Sequence, residues 1–159
     1  MVTKIRRDVV ALEATSTREM LERYIEQHYI EKQVFHNRMI DYSEMDIPST
    51  RPFSTYLFSL MDTKQIDDVR LYKKAQIDRR LFSKMRSNKD YQPSKKTVFK
   101  FILALELNYQ EAKELLEYAG FSFSRSSQFD LIVEFSIKHE IYNIDTVNEL
   151  LYSYVEETL

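Results

Sequence analysis

Between Arg79 and Lys96 the chain sets cations and hydroxyls at spacings suited to an anionic polymer. On a helix, Arg79, Arg80, Ser83, Lys84 and Ser87 share one face, because i, i+1 and i+4 positions lie together. An arginine on such a face can bond bidentately to guanine N7 and O6, and Lys84 can reach a base or a phosphate. Arg86, Lys89, Lys95 and Lys96 then fall where phosphates would be met. Phosphate contacts fix register and supply much of the affinity. Ser94 opens a further helix, whose free N–H groups suit one more phosphate. The alternative is a solvated cationic face that touches no nucleic acid.

Other chemistries have less behind them. His28, His36 and His139 are scattered, with no second ligand at i+4. There is no cysteine, so thiolate metal sites, disulfides and Cys nucleophiles are excluded. A single glycine excludes a glycine-rich phosphate loop. Lys89-Asp90-Tyr91 reads as a loop and Glu156-Glu157 as a solvated helix end. Eleven tyrosines and ten phenylalanines could stack on bases, but at helical spacing they read as core. The expectation is a non-enzymatic protein with no cofactor and no metal.

The elements that must position these residues are helical. Apolar residues make up 43 % of the 159, with one glycine and three prolines. Sheet-rich folds need more turn residues than that, so the expected class is all-α. The net charge of −2 conceals a division. Residues 64–100 carry 12 Lys and Arg against 4 Asp and Glu, whereas residues 101–159 carry 3 against 11. The basic stretch calls for an anionic partner, either nucleic acid or the acidic stretch of a second copy.

Three parts are expected: an N-terminal helical arm and linker over 1–50, a main domain over 51–120, and a C-terminal helical extension over 121–159. In the arm, Ser16 with Glu19 forms a capping-box pattern and predicts a helix start. Met20, Leu21, Tyr24, Ile25, Tyr29 and Val34 lie at helical spacing, and the helix is expected to approach Met39. Its apolar stripe packs either on its own domain or on a second copy. Pro48 and Pro52 break the chain before the main domain. Five helices then follow, over about 54–63, from an Asp67 cap to Ala75, from an Asp78 cap to Ser87, from a Ser94 cap to Leu107, and over 110–119. Gly120 stops the fifth. Two more helices are expected after Ser126-Ser127 and after Asp145.

The second and third of the five helices, joined by a tight turn, have the layout of a helix-turn-helix. The stretch from Phe53 to Gly120 resembles the Cro/λ-repressor-like, XRE-type domain. The resemblance rests on Leu71, Ile77, Phe82, Met85, Asn88, Pro93-Ser94 and the run from Leu103 to Asn108. It implies a five-helix domain that binds duplex DNA as a homodimer and regulates transcription. Residues 54–154 are also loosely similar to a helical module found behind some bacterial macrodomains. Three positions depart from the XRE pattern. Gln76 stands where a turn glycine is usual, Tyr72 where a small residue is usual, and Asp68 where many relatives carry a DNA-contacting glutamine. A carboxylate at that place repels phosphate. The competing expectation is therefore a protein-interaction module, antitoxin-like or an adaptor, that keeps the scaffold without reading DNA. No apolar run approaches the roughly 20 residues that span a bilayer, so a cytoplasmic protein without a membrane partner is expected.

Overall fold

The computed structural model describes residues 2–30 and 52–159, with side chains from residue 15 onward. Among these residues the chain forms eight α-helices and no strand. They are α1 (Val2–His28), α2 (Phe53–Lys64), α3 (Asp68–Lys74), α4 (Arg79–Ser87), α5 (Lys95–Ala104), α6 (Tyr109–Tyr118), α7 (Gln128–Lys138) and α8 (Ile144–Val155).

Helix starts follow side-chain capping. Asp67, Asp78, Ser94 and Ser127 each accept a hydrogen bond from a first-turn N–H, as their sequence positions predict. α6 starts at a full capping box, with Asn108 accepting from the Glu111 N–H and Glu111 accepting from the Asn108 N–H. α8 starts from Asn143, so Asp145 sits in its first turn, where a carboxylate suits the helix dipole.

Two expectations about α1 are corrected. The helix does not begin at Ser16 but runs through it from Val2. No glycine or proline stands upstream to stop it, so Ser16 has no helix start to serve. Its other end is at His28, short of Met39, and the Ile30 N–H leaves the helix to bond the Arg125 carbonyl at 2.9 Å. Val34, Met39 and the linker ahead of Pro52 lie outside the described residues.

α5 also ends earlier than predicted, at Ala104. Glu106 turns left-handed at φ 51°, and the Leu107 N–H returns to the Ile102 carbonyl. The same stop recurs at Gln65, Gln76, Gly120 and Glu140, all at positive φ. Each is followed by an apolar residue, respectively Ile66, Ile77, Phe121 and Ile141.

One hydrophobic core runs through the assembly. α2 packs on α6, α3 on α5, and α5 on both α6 and α8, while α7 joins α6 to α8. α1 lies on α7, with Leu21 fully buried and Tyr24 edge-on to Phe135 at 5.6 Å. The predicted stripe is therefore split: Leu21, Tyr24 and Ile25 face the protein, while Met20 and Tyr29 are exposed.

Candidate nucleic-acid interface

The Asp78 cap starts α4 and leaves Arg79 and Arg80 in its first turn, both exposed. Phe82 and Met85 are buried beneath the helix and Leu81 is half-buried. Phe82 belongs to an aromatic cluster, 6.1 Å from the Phe101 ring and 6.4 Å from Phe58. Tyr72, in place of a small residue, brings its ring within 6.0 Å of Phe82 and fills the space between α3 and α4. Gln76 adopts φ 51° in the turn, as its position predicted. A β-carbon costs about 1 kcal/mol there relative to glycine. Its side chain finds Asp145 at 2.9 Å.

The ten residues expected to meet nucleic acid fall into two groups. Arg79, Arg80, Ser83, Lys84 and Lys89 are exposed and have no carboxylate or hydrogen-bond partner for their side chains among the described residues. The Lys84 ammonium lies 5.6 Å from the centre of the Tyr91 ring. The Lys89 carbonyl accepts from Ser54 Oγ, which ties the loop after α4 to α2.

The other five are engaged within the molecule. Arg86 pairs with Asp68 at the start of α3 and lies 4.2 Å over the Phe58 ring. Lys95 pairs with the buried Asp130 of α7. Lys96 bonds Glu157 at 3.1 Å and the Thr158 carbonyl at 2.8 Å. Thus Arg86, Lys95 and Lys96, expected to be free for phosphate, are held by carboxylates. Ser94 spends its oxygen on the Thr97 N–H, and Ser87 donates to the Lys84 carbonyl.

The division of charge along the chain is reconciled in part inside one molecule. Lys64–Glu111 at 3.3 Å, Lys74–Glu106 at 2.5 Å, Lys95–Asp130 and Lys96–Glu157 all join the basic stretch to the acidic one. Asp68, expected to repel phosphate, has its charge answered by Arg86. Sequence alone gave no sign of that pair, because the two residues are eighteen positions apart on different helices.

A second charged group lies far along the chain. Glu134 is fully buried, and its Oε1 accepts from Lys138 at 2.9 Å with Arg125 at 3.7 Å. Burial alone would push the Glu134 carboxyl up. The Lys138 hydrogen bond, the nearby Tyr109 hydroxyl and the charges of Lys138 and Arg125 outweigh it and hold the carboxyl below its ordinary 4.5. Lys138 also donates to the Tyr24 hydroxyl at 3.0 Å and sits 4.4 Å from the Tyr109 ring centre. The group therefore clamps α1 onto α7. Glu134 and Lys138 are one helical turn apart, a pattern visible in the sequence, but its burial was not.

His28 stacks on Tyr24 and His139 on Phe135, each bonding a carbonyl four residues back, while His36 lies outside the described residues. Among the described residues no three His, Cys, Asp or Glu side chains could hold a metal ion, and no helix is long and apolar enough to cross a membrane. No family model, no curated protein and no solved structure matches this chain.

Proposed function

We propose that the chain is a non-enzymatic, XRE-type helix-turn-helix protein that binds duplex DNA through α4 and regulates transcription. In this reading α2 to α6 form a λ-repressor-like domain. α4 enters the major groove, with Arg79, Arg80 and Lys84 toward bases or phosphates and Lys89 on the backbone. Two copies would set their α4 helices about 34 Å apart on successive grooves. One observation carries the reading: Arg79, Arg80, Lys84 and Lys89 are exposed and have no carboxylate partner among the described residues, whereas neighbouring Arg86, Lys95 and Lys96 are each matched to a carboxylate. Three of these four cations share one exposed side of α4, and the fourth lies in the loop that follows it.

The test is a duplex-DNA titration across a salt series. Binding should weaken steeply with salt, and Arg80→Glu with Lys84→Glu should reduce affinity by roughly 100-fold or more. Unchanged binding by that double variant would remove α4 as the contact surface.

A groove of about 470 Å³ between α2, α3 and α4 supports a second reading as a protein-interaction module. Phe58, Met61, Ile66 and Val69 line it, and Val69 is 48 % exposed. Capture of one stoichiometric protein, with no duplex retarded, would favour that reading over DNA binding.

A further inference from the structure

We infer that Asp68 is a brake on DNA binding: by pairing with Arg86 across the α3–α4 junction it withholds that guanidinium from phosphate, and loss of its charge releases Arg86 to the backbone. The inference rests on the DNA-binding reading and adds a regulating residue to the same surface.

Arg86 lies on α4 beyond Arg79, Arg80 and Lys84, which have no carboxylate partner among the described residues. Its Nη2 donates to Asp68 Oδ1 and its plane covers Phe58. Both partners remain accessible, with side chains 50 % and 39 % exposed. An ion pair this wet is worth only about 0–1 kcal/mol, so it can be exchanged for a stronger partner. A phosphate offers the guanidinium two oxygens in matching geometry.

The surroundings permit that exchange. The pair is the wall between two open cavities, the 470 Å³ groove and a second of about 250 Å³ bordered by Phe82, Ser83 and Ser87. Arg86 can leave Asp68 without repacking the core. Three carboxylates face it from the groove, those of Asp62, Asp67 and Asp68. Asp67 is committed to capping α3 through the Arg70 N–H, and only Asp68 pairs with Arg86. Removing the Asp68 charge therefore removes the one directed hold on Arg86, apart from its stacking on Phe58.

The experiment measures binding of a mixed-sequence duplex by fluorescence anisotropy from 50 to 200 mM salt (about a fourfold range that resolves one phosphate contact). Four proteins are compared: the natural chain, Asp68→Asn, Arg86→Gln and the double variant. Asp68→Ser serves as a second charge-removing variant, and thermal melts establish that each protein is folded. Asp68→Asn should bind several-fold tighter, with a salt slope steeper by about 0.9, the increment of one added phosphate contact. Arg86→Gln and the double variant should keep the natural slope. If Arg86→Gln flattens the slope, Arg86 already touches phosphate and the brake is refuted. Steepening that persists in the double variant would mean that Asp68 merely repels DNA, which also refutes it. An unmoved slope in Asp68→Asn, with the natural chain binding normally, removes the brake alone. No binding by any of the four removes the DNA reading and the brake together.

Discussion

Three cations of α4 and the two around Glu134 of α7 occupy opposite environments. Arg79, Arg80 and Lys84 are exposed with no counter-charge among the described residues, whereas Lys138 and Arg125 converge on a carboxylate excluded from water. An unmatched exposed cation contributes little to the folded state, and mutual repulsion makes it a small liability. A cation on a buried carboxylate is needed for the fold, since removing either partner strands a charge in a low dielectric. The contrast separates groups that hold the molecule together from cations that contribute little to the fold.

The sharpest way to break the comparison is to exchange the consequences. Glu134→Gln should cost about 2 kcal/mol of stability, because a buried, doubly matched carboxylate becomes a neutral amide facing two cations. For a chain of this size that corresponds to a fall of roughly 4–8 °C in melting temperature. DNA affinity of the folded fraction should not change. Arg80→Glu with Lys84→Glu should do the reverse, altering stability by no more than about 0.5 kcal/mol while abolishing binding. Calorimetry and anisotropy on the same two preparations decide the matter. Comparable losses of stability in both would erase the distinction between the two regions.

Proton linkage sharpens the same contrast. Hydrogen bonds and neighbouring cations hold Glu134 below 4.5 in the folded state against the opposing effect of burial. Its contribution is therefore complete above the ordinary carboxylate value and is lost as pH falls through the lower folded one. Lys138 runs the other way. Burial would lower it, but the Tyr24 hydroxyl and Glu134 outweigh that and raise it above 10.5. Its contribution is present below 10.5 and lost as pH rises beyond. Hydrogen exchange should report α1 loosening from α7 as pH falls below the ordinary carboxylate value, ahead of global unfolding, since Lys138 bridges Glu134 and Tyr24. Glu134→Gln should make α1 protection less dependent on pH in that range.

Much of this framework is legible along the chain. Asp67, Asp78, Ser94 and Ser127 announce helix starts through chemistry that is complete within three residues, and Gly120 announces a stop. The cationic side of α4 and its apolar underside likewise follow from helical spacing. What distance along the chain conceals is who answers each charge. Arg86 meets Asp68, Lys95 meets Asp130 and Lys96 meets Glu157 only once the helices have packed. Three cations of the candidate interface are thereby engaged by carboxylates of the same molecule. The beginning of α1 was obscured differently, because Ser16 and Glu19 satisfy a capping pattern at a place where the backbone is already helical.

The helix ends teach the smallest and cleanest lesson. Among the described residues, four of the six left-handed ones close a helix just before an aliphatic residue despite carrying a β-carbon: Gln65, Gln76, Glu106 and Glu140. The aliphatic residue after each of them, rather than a glycine, was the available signal, because that residue docks back on the helix it terminates. Gln76 and Glu106 recover something through Asp145 and Lys74, whereas Gln65 has no side-chain partner among the described residues. Gln65→Gly should therefore stabilise the protein by about 0.5 kcal/mol, the relief of a left-handed β-carbon less the added freedom of the unfolded chain. Gln76→Gly should gain less or nothing, since it surrenders the bond to Asp145. Paired denaturant titrations resolve the two, and a larger gain at 76 than at 65 would mean that the turn before α4 is the more strained of the pair despite its hydrogen bond.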